Sequence, residues 1–174
     1  VMALRVRKQF LYENRKNVKA AIIVWDQQEK YLDRKHVIEA AWNWINMTIP
    51  VISSTFASFS RMCKNLGAET LGHLFIDEAG QALPQAAVGA IYRSRHVMVV
   101  GDPLQIKPVL TLDSNTLYML GEHFGVTEKY LSASASAQIL ADAASQYGFY
   151  RKQDKAEDSW VGIPLWVHRR CRYP

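Results

Sequence analysis

The chain has 174 residues, 49% of them apolar, with 21 Lys and Arg against 16 Asp and Glu and a net charge of +5. That length fits one ordinary domain with a real core, and that composition excludes a disordered chain. No apolar run nears the roughly 18 residues of a membrane span, no apolar block near the N-terminus has a signal-peptide shape, and two cysteines are too few for a disulfide framework.

Residues 1–20 are basic, with Arg5, Arg7, Lys8, Arg15, Lys16 and Lys19, and their helical periodicity is poor. Ala21 to Trp25 has the length and apolar character of a strand. From Asp26 to Met47 a helix is predicted, because Leu32, Val37, Ile38, Ala41, Trp42 and Ile45 recur at three- and four-residue steps. That spacing turns only one of Trp42 and Trp44 squarely inward. Pro50 ends the helix. Val51 to Thr55 reads as a buried strand ending in hydroxyls, and Phe56 to Leu66 as a helix stopped by Gly67.

Downstream, His73–Ile76 reads as a strand, Pro84–Tyr92 as a helix and His96–Val100 as a strand. Asn115–Phe124 is predicted as a helix ending at Gly125, and Ala137–Tyr147 as an alanine-rich helix ending at Gly148. Arg151–Ser159 is a charged loop. Trp160 to Val167 leads into a basic cluster at His168-Arg169-Arg170-Cys171-Arg172, near where the sequence stops as if in mid-element, so a piece of a longer chain is expected. Alternating strands and helices argue for an α/β fold, a mainly parallel sheet flanked by helices.

Two segments carry the chemistry. Leu74-Phe75-Ile76 runs into Asp77-Glu78-Ala79-Gly80-Gln81, and Val97-Met98-Val99-Val100 runs into Gly101-Asp102-Pro103-Leu104-Gln105. An apolar strand that stops at acidic and small residues delivers catalytic groups to the end of a parallel sheet. Asp77 suits Mg²⁺ bound through water, and Glu78 suits activation of a water molecule. Gln105 can both donate and accept, which suits sensing a phosphate. Each segment alone is also ordinary turn chemistry. Ser54 and Thr55 suit contact with a nucleic-acid backbone, or simply cap the next helix. Cys63 and Cys171 lack the paired base a nucleophile needs, and His73, His96 and His123 suggest no metal site.

The order and spacing of Phe75 to Ala82 and Val99 to Val109 resemble motifs II and III of superfamily 1 helicases, in the branch of RNA-decay and replication-associated helicases. Ser53-Ser54-Thr55-Phe56 resembles a strand-end motif that touches nucleic acid, and Leu165 to Cys171 resembles motif IV. The resemblance covers roughly residues 50 to 174 and implies a partial RecA-like P-loop NTPase domain. Residues 1–160 would be the C-terminal part of the first RecA-like domain, with 1–49 an insertion or helical region. Residues 161–174 would open the second.

By that resemblance the complete protein uses ATP and Mg²⁺ and acts on single-stranded DNA or RNA in the cytoplasm, nucleoid or nucleus, with no membrane partner. Asp77, Glu78, Gln105 and Arg170 are the implied catalytic residues, Arg170 reaching the γ-phosphate across the domain cleft, with Gly101 and Asp102 at the nucleotide. Without the resemblance, the basic cluster around Arg170 reads as a nucleic-acid patch or simply as a charged chain end; the resemblance favours the phosphate role for Arg170. The family's Gly-x-x-x-x-Gly-Lys-Ser/Thr loop occurs nowhere in the sequence. The chain alone is therefore expected to be inactive, and either to self-associate through unpaired sheet edges or to rearrange an edge. The alternative is a helicase-like module that binds nucleic acid or protein without hydrolysis.

Overall fold

The structure is a computed structural model that describes residues 1–102, 108–109, 112–127, 130–131, 135–152 and 159–163. The chain divides into two units, residues 1–72 with 89–95, and residues 73–88 with 96–174.

The first unit is helical. Helices α1 (Met2–Glu13) and α2 (Arg15–Asp26) are nearly continuous and are separated only by Asn14. A 3-10 turn at Gln28–Tyr31 leads to α3 (Lys35–Thr48), and α4 (Phe56–Met62) follows. The core gathers Ile38, Trp42, Cys63 and Leu66, with Tyr31, Phe59, Met62 and Leu71 packed around it. Trp42 is 2% exposed, and its ring meets that of Trp25 edge-on with centroids 6.2 Å apart. Trp44 lies at the margin, stacked on Phe10 at 5.9 Å, so the inward choice between the two tryptophans falls on Trp42. Arg7 fixes α1 to the end of α3, where its Nε and Nη2 donate to the Met47 and Thr48 carbonyls at 2.9 and 2.5 Å. Those carbonyls have no partner inside their own helix, so a guanidinium there satisfies groups that would otherwise need water. Arg93 does the same for α4 by donating to the Cys63 carbonyl, and it also donates to the Gly89 carbonyl four residues before it.

Two strand expectations fail in this unit. Ala21–Trp25 is the last part of α2, because Ala21 is buried on the helical period that also turns Leu11, Asn14 and Val18 inward. Packing of α2 along α3 outweighs the β preference of Ile22, Ile23 and Val24. Val51–Thr55 is irregular and exposed, and among the described residues no strand pairs with it. An apolar run of strand length becomes a strand only where a neighbour takes its backbone hydrogen bonds.

Strand β1 (Leu71–Ile76), helix α5 (Pro84–Tyr92) and strand β2 (Ser94–Val99) form a βαβ segment. Leu71 N donates to Arg93 O at 2.8 Å and Val100 N to Ile76 O at 2.8 Å, so the two strands run parallel. Both strands are largely exposed. Phe75 is 67% exposed and Met98 57%, because among the described residues this sheet has two strands, and a pair cannot cover its own faces. His73 lies inside β1 and stacks on His96 of β2, ring centroids 4.9 Å apart.

The second unit also holds α6 (Ser114–Phe124), α7 (Ala137–Ala144), β3 (Phe149–Arg151) and β4 (Ser159–Val161), the last two an antiparallel pair. Asp113 caps α6 by accepting from Thr116 N and Thr116 Oγ1. The Thr116 side chain, then its amide, hold this carboxyl below its usual value. The charged cap thus supports α6 at neutral pH and is lost as pH falls through the lowered value. Gly125 ends α6 with φ +66°, a conformation that favours glycine. Asp142 of α7 accepts from Gly162 N at 2.9 Å and ties the strand pair to the helix. Among the described residues no helix is long and apolar enough to cross a membrane.

Burial pushes the Cys63 thiol up to about 11, against a smaller downward pull from Arg93. At pH 8 its thiolate fraction is then about a hundredfold below that of an ordinary cysteine. Iodoacetamide labelling followed by peptide mass analysis is expected to modify Cys63 at least about a hundred times more slowly in the folded chain than in urea. Equal rates would contradict this core.

Candidate functional site

β1 is apolar through Ile76 and then meets two carboxylates, so the chain leaves the sheet where its charge begins. Asp77 and Glu78 are both exposed. Asp77 Oδ1 accepts from Glu78 N at 3.0 Å. Glu78 takes a left-handed backbone conformation, φ +52°, which is uncommon for a residue with a β-carbon and costs on the order of 1 kcal/mol. A tight turn follows. Gln81 N donates to Glu78 O at 2.9 Å, and Gln81 Nε2 to Glu78 Oε2 at 3.3 Å.

The turn is held from two sides. Ala79 N donates to Val100 O at 3.0 Å, which joins it to the end of β2. From the other side the first turn of α7 donates to it, Gln138 N to Ala79 O at 3.2 Å and Ala137 N to Ala82 O at 2.8 Å. Gly101 fits closely into this junction. A β-carbon there would lie 2.8 Å from Gly80 N, 2.9 Å from Ala79 N and 3.1 Å from Gln138 Oε1. Backbone atoms cannot yield to such an intrusion, so glycine is required by space at this exit from β2.

The structure therefore brings Asp77, Glu78 and Gly101 together, with Asp102 exposed beside Gly101. Gln105 and Arg170 lie outside the described residues. Ser54 and Thr55 belong to the first unit. Thr55 Oγ1 caps α4 by accepting from Ser58 N, and Ser54 Oγ donates to Thr55 O. The capping role weighed for this pair is thus realised at Thr55, and both residues remain exposed.

Sequence reasoning found the helix that begins at Ala137 but not its contact with this turn. Gln138 Oε1 is buried and has no hydrogen-bond partner among the described residues, while Gln138 Nε2 donates to Asp142 at 3.3 Å. The available signal was the small-residue stretch before the helix. Ala135 and Ala137 are 2% and 0% exposed, which lets the helix start come close to the turn.

Can this site hold a cation? The donors at the sheet end are carboxylate oxygens, the kind that Mg²⁺ prefers. Among the described residues no group of three or more His, Cys, Asp or Glu assembles a cage. Mg²⁺ is generally held by one or two carboxylates plus water and substrate phosphates, so this donor set fits a cation carried in with a nucleotide. The sequence contains no Gly-x-x-x-x-Gly-Lys-Ser/Thr run. Gly67 and Gly72 have the glycine spacing of one, but His73-Leu74 follow where Lys-Ser/Thr is needed, and Gly72 lies within β1.

The sequence matches the profile of a family described as an AAA domain over residues 3–112. No curated protein and no solved structure matches it.

Gly101→Ala is expected to destabilise the second unit by about 1–3 kcal/mol through overpacking, measured by urea unfolding. The Ala79 amide should also exchange its hydrogen faster. An unchanged midpoint with unchanged exchange would contradict the close approach.

Proposed function

The chain belongs to the AAA domain family, and on that premise we propose that it is part of a nucleic-acid-dependent ATPase of the superfamily 1 helicase type, moving on single-stranded DNA or RNA. The observation that carries this reading is the exposed Asp77-Glu78 pair at the end of a parallel strand, on a turn fastened to the exit of the neighbouring strand at Val100 and Gly101. In a parallel sheet that edge is where ligands bind. Asp77 holds Mg²⁺ through water, and Glu78 orients and deprotonates the attacking water. Bound Mg²⁺ supplies charge neutralisation of the phosphates.

In the same reading Gln105 senses the γ-phosphate, and Gly101 and Asp102 lie beside the nucleotide. Because Val100 and Gly101 also carry the Asp77–Ala82 turn, a shift at the Gln105 loop is passed to the carboxylates. Arg170 acts from the second RecA-like domain, which residues 161–174 open, while residues 1–160 belong to the first. Ser54 and Thr55 touch the nucleic-acid backbone. The phosphate cradle would come from sequence outside this chain, so the chain alone is inactive.

A second reading is favoured by one observation, the missing Gly-x-x-x-x-Gly-Lys-Ser/Thr loop. It is a domain that binds single strands, or a protein, without hydrolysis. ATP turnover by the full natural protein separates the two. We expect turnover to rise with added single-stranded nucleic acid and to fall about a hundredfold or more in Glu78→Gln, the range of general-base catalysis. Salt-sensitive strand binding with no turnover would select the binding module instead. The 174-residue chain by itself is expected to show only background turnover. A rate on that chain that vanished in Glu78→Gln would contradict the missing cradle.

A further inference from the structure

We propose that α1 and α2 carry a second docking surface for single-stranded nucleic acid, a stripe formed by Arg5, Lys8, Tyr12, Arg15, Lys16 and Lys19. Residues 1–19 hold six Lys and Arg and one Glu, leaving fifteen charges of each sign in the rest of the chain. The entire net charge of +5 therefore resides on this segment.

Arg5, Lys8, Tyr12, Arg15 and Lys19 follow one another at steps of three and four residues, with Lys16 beside Arg15. The helices are interrupted only at Asn14, so these side chains form one line along both. All six residues are exposed. The inward line is a different one, Arg7, Leu11, Asn14, Val18 and Ala21, and it is held by Arg7 on the end of α3 and by the packing of α2 along α3. From Arg5 to Lys19 the stripe is about 21 Å long at 1.5 Å per residue.

Among the described residues no carboxylate pairs with the cations on this stripe. The ion pairs among the described residues are Arg34 with Asp33 and Lys64 with Glu29, and none involves the stripe. Arg15 instead lies over the Tyr12 ring, 5.0 Å from its centroid. Five like charges in a line repel one another, which favours occupation by an extended polyanion. An aromatic ring among cations is also how proteins hold single strands, with phosphates on the cations and a base on the ring. A membrane surface suits the stripe less well. A helix lying in lipid buries an apolar face, and the inward face of α2 is already spent on α3.

The choice of nucleic acid among polyanions rests on the proposed ATPase reading, but the test is independent of turnover. In the full natural protein, Arg5, Lys8, Arg15, Lys16 and Lys19 are all changed to Gln, and a second variant exchanges Lys and Arg with charge kept. Binding of fluorescein-labelled oligothymidylate and oligouridylate is followed by anisotropy from low to moderate salt. Each lost phosphate contact lowers the slope of log K against log salt by about 0.7 on a single strand.

The Gln variant is expected to lose at least about 2 from that slope and more than tenfold in low-salt affinity. The charge-kept variant should retain both, with the same urea midpoint in all three proteins. Unchanged slope and affinity in the Gln variant would overturn the stripe while leaving strand-stimulated turnover untouched. Charge-dependent binding to phosphatidylserine vesicles, with oligonucleotide binding unaffected, would overturn it in favour of a membrane.

Discussion

A β-carbon at Gly101 would sit within 2.9 Å of two backbone nitrogens of the Ala79-Gly80 turn, and the arrangement at the end of the sheet depends on its absence. Because the β2 exit comes that near, Ala79 can give its N–H to Val100 and still offer its carbonyl to Gln138. The turn after Glu78 is thereby anchored at both ends. Its two carboxylates remain in solvent with their backbone fixed, which is the condition for binding a hydrated cation without a protein cage. The left-handed backbone at Glu78 is maintained by the same anchors, since nothing in the residue itself favours it.

The first unit supplies a different asset, a rigid helical base. Trp42, Ile38 and Cys63 are almost fully buried, and two arginines, Arg7 and Arg93, close helix ends whose carbonyls would otherwise lack partners. That base holds α1, none of whose residues is buried, in a set orientation. A helix with no buried residue gains little from the hydrophobic effect and owes its place to a few specific contacts, here Arg7 and the Phe10–Trp44 stack.

Sequence patterns were most legible where local chemistry decides the outcome. Pro84 opens α5 and Tyr92 ends it, as read, because proline is preorganised for a first helical position. Gly125 ends α6 for an equally local reason. The Asp77-Glu78 and Gly101 ends of the strands were legible because polarity changes abruptly there. Errors arose where a partner decides. Ala21–Trp25 has strand composition but packs as helix on α3, and Val51–Thr55 has no strand to pair with among the described residues. The exposure of Phe75 and Met98 and the meeting of His73 with His96 follow from a two-stranded sheet, which no pattern within either strand reveals. Gln138 lies 59 residues along the chain from Ala79, whose turn it supports, and that pairing is a property of the fold alone.

The division of labour between the two carboxylates is the most exposed part of the proposed mechanism, and bound Mn²⁺ reports on it directly. Electron paramagnetic resonance titration of Mn²⁺ into the full natural protein, with a non-hydrolysable ATP analogue present, measures the cation site without any turnover. If Asp77 holds the cation and Glu78 handles water, Asp77→Asn weakens Mn²⁺ binding at least about tenfold, the loss of one charged ligand interaction. Glu78→Gln then leaves that affinity close to the wild-type value. Mn²⁺ affinity unchanged by Asp77→Asn, or lost equally in both variants, would contradict the assignment of a cation pole and a water pole at the end of β1.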